Sequence, residues 1–157
     1  MLLKEIYEKQ HFVFHESAPD WREAIRMACK PLETAGLVVK DEYAQELISC
    51  VEKHGPYIVL IPGVAMPHST ENAEGAKGTG IGFMRLAQPV AFEEGNPEKD
   101  AQLFFTLVST NSDEHMANMQ RLYSILTNVD AIEKLKVAES PEDLLAVDAL
   151  LEESVEE

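Results

Sequence analysis

The sixteen-residue segment from Gly55 to Thr70 constrains this chain more than any other. It contains no Asp, Glu, Lys or Arg, although charged residues make up 26% of the sequence. Its apolar run, Tyr57–Ile61, is bounded by Gly and Pro, which predicts a short buried strand. A turn at Pro62-Gly63 follows, and then His68 directly after a proline. A histidine on such a loop, without a carboxylate nearby in sequence, suits a neutral imidazole nucleophile.

Strands and helices are interleaved along the rest of the chain. The predicted strands are 12–14, 57–61, 81–84, 89–92 and 103–108, and the predicted helices are 2–10, 20–36, 41–53, 113–127, 129–138 and 141–151. Strands this apolar are not expected to expose one face to water. The sequence therefore predicts an α/β fold in which a single mixed sheet of about five strands is flanked by helices, as a three-layer sandwich. With 157 residues we expect a single domain, residues 1–151, followed by an acidic tail at residues 152–157.

A second histidine, His115, follows the polar cluster Ser109–Asp113, where the strand 103–108 gives way to a helix. Ser112 or Asn111 is the expected N-cap, which places His115 in the first helical turn. The free backbone N–H groups of a helix start receive anions such as phosphate. This end of the helix is therefore a candidate anion site.

The two histidines together predict a phosphoryl-transfer site. If the ends of their two strands are adjacent, His68 and His115 face one another across a gap of phosphate size. A neutral nitrogen of His68 then attacks a phosphoryl group, while His115 and backbone amides hold its oxygens. Ser69, Asn111 and Ser112 are the candidate phosphate-stabilising residues.

Charge and composition exclude several other classes of function. The formal net charge is −15, and the last 21 residues carry eight acids and no Lys or Arg. This field repels nucleic acid and anionic membrane and attracts a basic protein partner. The first residues do not form a signal peptide, and the apolar runs are too short to span a bilayer. We therefore expect a cytoplasmic protein that binds neither nucleic acid nor membrane.

Other interpretations of these residues stay open. A lone histidine is more often structural than nucleophilic, and histidines also bind zinc, although no thiolate or carboxylate is close to His68 in sequence. A serine hydrolase would need a Gly-x-Ser-x-Gly elbow, and no such elbow, P-loop or dinucleotide fingerprint occurs, so we expect no cofactor and no metal. Cys29 and Cys50 lack ligand spacing and are interpreted as small core residues.

Three segments carry a resemblance to a known family: Glu16-Ser-Ala-Pro-Asp-Trp21, Gly55-Pro-Tyr-Ile-Val-Leu-Ile-Pro-Gly-Val-Ala-Met-Pro-His68, and His115-Met-x-x-Met-x-x-Leu-x-x-Ile. The chain resembles the mannitol/fructose-type enzyme IIA of the bacterial sugar phosphotransferase system over residues 1–151, and is most similar to the ascorbate-specific IIA component. The resemblance implies that His68 is the phosphorylated histidine and that His115 supports the phosphohistidine. It also implies a phosphotransferase that takes phosphate from the histidine-containing phosphocarrier protein and passes it to a cysteine of enzyme IIB, for ascorbate uptake.

The chain departs from the family pattern at one point. Mannitol-type members have an arginine in the segment that here is 49–53, whereas this chain has no arginine between Arg26 and Arg85. Lys53, Arg85 or amide dipoles must then balance the phosphate charge. Two alternatives remain: a regulatory interaction module using the same histidine, and a stand-alone hydrolase or metal-binding protein. The oligomeric state, including a homodimer, also stays open.

Overall fold

The computed structural model describes residues 1–156, with side chains through residue 153. The helices are α1 (Leu2–Lys9), α2 (Trp21–Thr34), α3 (Glu42–His54), α4 (Ser112–Leu126), α5 (Val129–Lys136) and α6 (Glu142–Glu156). The strands are β1 (Phe12–His15), β2 (Val59–Ile61), β3 (Gly63–Ala65), β4 (Gly80–Ala91) and β5 (Asp100–Val108). None of the helices within residues 1–156 combines the length and the apolar content needed to cross a membrane.

All five strands belong to a single mixed sheet in the order β1-β4-β5-β3-β2. β1 runs parallel to β4 and β3 runs parallel to β5, while the β4–β5 and β2–β3 pairs are antiparallel. The predicted fold class, a mixed five-stranded sheet flanked by helices, is confirmed.

Apolar side chains from both faces of the sheet form two cores, which gives the fold its three layers. On one face, Phe104 and Val108 of β5 pack with buried residues of α2 and α3. On the other face, Phe105 and Leu107 pack with buried residues of α1, α4, α5 and α6. Alternate side chains of a strand point to opposite faces, so β5 contributes to both cores and lies at the centre of the molecule.

The prediction of one buried strand over Tyr57–Ile61 is wrong. The segment instead gives the edge strand β2, and the chain turns at Pro62-Gly63 into β3, which lies between β2 and β5. Because an edge strand has only one neighbour, Leu60 and Ile61 remain 45% and 37% exposed. The buried strand before His68 is therefore β3, whose Val64 and Ala65 are fully buried.

Two other predicted boundaries differ from the structure. The strands predicted at 81–84 and 89–92 are parts of one long strand, β4, with an irregular register between Arg85 and Val90. A bulge there accommodates Pro89, which has no N–H to donate. The last helix was expected to end at Leu151, but α6 continues through Glu156. The predicted acidic tail, 152–157, thus overlaps α6, and residue 157 lies outside the described residues.

Candidate functional site

Parallel pairing of β3 and β5 brings the two candidate histidines to one end of the sheet. Ala65 of β3 is in register with Phe104 of β5, so the carboxyl ends of both strands open at the same edge. The loop after β3 is fixed to β5 because Leu107 N–H donates to the Pro67 carbonyl at 2.9 Å. His68 follows that carbonyl directly. α4, which carries His115, begins four residues after β5 ends.

His68 and His115 line the same open cleft, which has a volume of about 440 Å³. Its lining residues are Cys50, His54, Tyr57, His68, Ser69, Thr70, Glu71 and His115. An adjoining groove of about 360 Å³ shares four of these residues and adds three from α3: Glu46, Ser49 and Lys53. The cleft is therefore built from the end of α3, the loop after β3 and the first turn of α4.

The two ring nitrogens of His68 have different roles. Nδ1 lies 2.6 Å from the Met66 carbonyl oxygen. A carbonyl oxygen only accepts hydrogen bonds, so Nδ1 carries the proton and Nε2 is left with a free lone pair. Burial lowers the pKa of His68 below its usual value; the Met66 carbonyl opposes this shift, and His115 lowers the pKa further. The ring is thus held neutral, with Nε2 as its nucleophilic atom.

His115 lies in the first turn of α4, as predicted, and its ring is oriented by Ser109. The Ser109 hydroxyl, at the buried end of β5, lies 3.2 Å from His115 Nδ1. When that hydroxyl donates to Nδ1, Nε2 carries the proton and becomes a hydrogen-bond donor. Sequence reasoning missed Ser109 as a site residue, although it belongs to the polar cluster that marked this end of the helix.

The three predicted phosphate-stabilising residues occupy different places. Ser69 lines both the cleft and the adjoining groove, and its hydroxyl donates to Glu46 Oε1 at 3.4 Å. Asn111 is the N-cap of α4, and its Oδ1 accepts from Glu114 N–H at 2.8 Å. Ser112 is exposed at the first position of α4. Only Ser69 of these three is among the residues that line the cleft.

The side of α3 that lines the cleft and the adjoining groove was not predicted from the sequence. Cys29 is a buried core residue as expected, but the same interpretation of Cys50 is wrong, since Cys50 is half-buried and lines the cleft. Its thiol lies 3.7 Å from Ser69 Oγ. Glu46, Cys50 and His54 are spaced four residues apart, which places them on one helical face. That spacing is the signal that could have identified this wall of the site.

Of the two basic residues considered for charge compensation, only Lys53 is near the site. It lines the groove next to the cleft. Arg85 pairs in register with Leu103, about 17 Å along β5 from the end of the strand at about 3.4 Å per residue. Its Nε donates instead to the Lys136 carbonyl at 3.1 Å. Arg85 therefore stabilises the end of α5.

A metal ion has no ready-made site in the part of the chain that the structure describes. No group of three or more His, Cys, Asp and Glu side chains is arranged there to hold one. The cleft instead offers a neutral imidazole with a free lone pair, a second imidazole, a serine hydroxyl and a nearby ammonium group. This set of groups is suited to accepting a phosphoryl group and holding its oxygens.

Comparison with known proteins places the chain among relatives with a common function. Residues 5–149 match the family model described as "Phosphoenolpyruvate-dependent sugar phosphotransferase system, EIIA 2". The chain is 29% identical to the ascorbate-specific PTS system EIIA component of Shigella boydii serotype 4, over 92% of each chain. It is 32% identical to the mannitol-specific cryptic phosphotransferase enzyme IIA component of Escherichia coli, over 92% of this chain and 95% of that protein. The crystal structure of a "putative PTS IIA(PtxA)" from Streptococcus mutans superposes with a TM-score of 0.84 at 30% identity, covering 98% of this chain and 96% of that one.

Proposed function

Because this chain belongs to the EIIA 2 family of the phosphoenolpyruvate-dependent sugar phosphotransferase system, as its resemblance predicted, we propose that His68 is its phosphoryl-carrying residue. EIIA components of this system transfer phosphoryl groups, so the chain is a phosphotransferase.

The observation that supports the proposal most is the fixed tautomer of His68. Nδ1 is engaged by the Met66 carbonyl oxygen, so the free lone pair of Nε2 is available in the cleft. In the transfer step, a bond forms between Nε2 and the phosphorus as the bond between phosphorus and the donor nitrogen breaks. The proton stays on Nδ1, and the Met66 carbonyl stabilises the positive ring of the phosphohistidine.

His115 and Lys53 hold the phosphoryl oxygens in this proposal. His115 shares the cleft with His68, and in this proposal the Ser109 hydroxyl donates to its Nδ1 so that Nε2 carries the proton that it donates. Lys53, at the end of α3, reaches the phosphoryl group along the adjoining groove and takes the place of the family arginine. Ser69, which lines both the cleft and the groove, supplies a hydroxyl in this proposal. A phosphate-binding role of Asn111 and Ser112 stays a prediction.

The partners follow from the family and from the surface around the cleft. The donor is the histidine-containing phosphocarrier protein, and the acceptor is a cysteine of the matching enzyme IIB. Tyr57 exposes apolar surface beside His68, and Met116, the residue after His115, does so on α4. Because the chain as a whole carries a net charge of −15, a partner with a basic rim and an apolar centre fits best.

L-Ascorbate is the proposed final substrate, because relatives such as the Shigella boydii protein carry that name. We place the protein in the cytoplasm, where phosphoenolpyruvate is available to such a relay. Residues 1–151 form the phosphotransferase domain in this proposal. The homodimer left open by the sequence stays untested.

The test is phosphoryl uptake from phosphoenolpyruvate, enzyme I and the phosphocarrier protein, read by intact mass. The native chain should gain one acid-labile phosphoryl group, and His68→Ala should gain none while remaining folded. His15→Ala is the matched control, since His15 is an exposed histidine at the end of β1, and it should be labelled like the native chain. Full labelling of His68→Ala would refute the proposal.

A further inference from the structure

Tyr57 makes two different contacts with His68. Its hydroxyl donates to the His68 carbonyl oxygen at 3.0 Å. Its ring also packs edge-on against the imidazole, with ring centroids 5.5 Å apart and an angle of 81° between the planes. One tyrosine thus touches both the backbone and the ring of the residue proposed to carry the phosphoryl group.

The contacts of Tyr57 add to a set of hydrogen bonds that hold the backbone and the ring of His68. The carbonyl of Pro67 is bound by Leu107 N–H, and the next carbonyl, that of His68, is bound by the Tyr57 hydroxyl. The ring is held through Nδ1 by the Met66 carbonyl. The ring nitrogen that these contacts leave free is Nε2.

Tyr57 is itself well anchored, although its side chain is 37% exposed. Its backbone N–H donates to the Gly55 carbonyl at 2.8 Å, within the turn that ends α3. The His54 ring packs on it edge-on, with centroids 6.3 Å apart. Burial raises the pKa of Tyr57 to about 12, and Cys50 and Glu46 act in the same direction, so the hydroxyl keeps the proton that it donates.

We propose that Tyr57 is a positioning residue for phosphoryl transfer, which holds the His68 imidazole in the orientation that presents Nε2 to the incoming phosphorus. This inference rests on the proposed role of His68. In-line transfer between two nitrogens needs the acceptor lone pair aligned with the bond that breaks, and small misplacements of a reacting group slow such steps strongly. Tyr57 acts through His68 and makes no bond to phosphorus.

Two variants separate the two contacts. Tyr57→Phe removes the hydrogen bond to the His68 carbonyl and keeps the ring, while Tyr57→Ala removes both. Tyr123→Phe is the matched control, because Tyr123 is a 68% exposed tyrosine of α4 and loses only its hydroxyl. Each protein is studied in full length, with circular dichroism to check that it is folded.

The first measurement is the rate of phosphoryl uptake from the phosphorylated phosphocarrier protein. Losing one neutral hydrogen bond worth about 1 kcal/mol should slow Tyr57→Phe about fivefold in kcat with KM unchanged. Tyr57→Ala should be slower still, and Tyr123→Phe should match the native chain. A change confined to KM would make Tyr57 a docking residue and would overturn the proposal, as would native rates in both variants.

The second measurement is ¹⁵N NMR of the His68 ring in the unphosphorylated protein, which does not depend on any transfer activity. The native ring should show one tautomer, with the proton on Nδ1. In Tyr57→Ala the two nitrogen shifts should move toward the average of both tautomers, and Tyr57→Phe should lie between. Native shifts in both variants overturn the positioning role. If the native chain accepted no phosphate while these shifts moved as expected, the proposed function would fail and the positioning of the ring by Tyr57 would stand.

Discussion

At the scale of single residues, the properties of the site depend on how His68 is buried. Its backbone and ring sit at the end of β3, where burial lowers the pKa and the Met66 carbonyl fixes the proton on Nδ1. A histidine whose pKa is lowered in the folded protein resists protonation there. The same burial that keeps Nε2 nucleophilic therefore makes the fold sensitive to acid.

This sensitivity predicts how stability changes with pH. Between the lowered pKa of folded His68 and the usual value near 6.5, the unfolded chain binds more protons than the folded one. The free energy of unfolding should therefore fall as pH drops through this window and should be fully restored above 6.5. In His68→Gln, the free energy of unfolding should fall less steeply with decreasing pH than in the native chain. Urea unfolding on both sides of pH 6.5 measures this difference. An equal slope in the variant and the native chain would contradict this assignment.

A second prediction at this scale concerns His115 and the serine that orients it. His115→Ala removes a donor to the phosphoryl oxygens and should slow transfer to enzyme IIB about a hundredfold, while His68 is still labelled. Ser109→Ala frees the ring without removing it and should slow transfer about fivefold. Single-turnover kinetics measure both, with Ser124→Ala, an exposed serine of α4, as the control. If His115→Ala transferred phosphate to enzyme IIB at the native rate, His115 would have no role in the transfer.

The site could be predicted from sequence only where its residues are marked locally. His68 and His115 each lie on a loop or helix start with an unusual local pattern, so both could be identified as candidates, and the structure brings them into one cleft. Cys50 lines the cleft and Glu46 lines the adjoining groove because α3 packs beside the loop after β3, and nothing in their immediate neighbours indicates that packing. Their shared helical face was visible, but its direction is set by tertiary structure.

At the scale of elements, the short strands β2 and β3 account for the main error of sequence reasoning. A continuous apolar run is compatible with a buried strand, and only the pairing partners distinguish an edge strand from an inner one. The turn at Pro62-Gly63 folds the run back, and Gly63 has a φ of 92°, which few other residues adopt. The longer elements, such as β5 and α4, were predicted because their patterns extend over many residues.

The placement of α3 against the sheet depends on Gly75. A Cβ at this position would lie 2.6 Å from the Tyr43 backbone nitrogen, in the first turn of α3. Tyr43 also donates its hydroxyl to the Leu107 carbonyl of β5, so this turn joins helix and sheet. A side chain at position 75 must therefore displace α3 and the cleft wall that it carries.

Gly75→Ala should lower the free energy of unfolding by about 3 kcal/mol or more, since overpacking adds to the cost of a left-handed residue. The control is Gly95→Ala, because its φ of 78° is similar to the 87° of Gly75 but no atom lies within 4 Å of the added Cβ. That variant should lose only about 1–2 kcal/mol. Chemical denaturation measures both, and equal losses would show that the contact with α3 does not matter.

At the scale of the whole molecule, charged residues are distributed unevenly along the chain. The chain carries a net charge of −15, yet the segment that forms β2, β3 and the loop to Ser69 contains no charged residue. This arrangement follows directly from the sequence and was predicted from it. The sequence did not predict which side chains of the segment are exposed, because their exposure depends on the order of the strands in the sheet.

The net negative charge predicts that partner association depends on salt. A basic phosphocarrier should associate with this chain more slowly as ionic strength rises, because screening shortens the range of attraction to about 8 Å at physiological salt. The dissociation rate should change much less, since the apolar contact is short-range. Stopped-flow association at increasing salt measures this effect. Association rates that stay constant would rule out electrostatic steering.

The most direct measurement of the central claim is ³¹P–¹⁵N NMR of the phosphorylated chain with ¹⁵N-labelled histidine. We predict a single phosphorus bonded to Nε2 of His68, with a proton retained on Nδ1. Phosphorus on Nδ1 of His68, or on any other residue, would contradict the account.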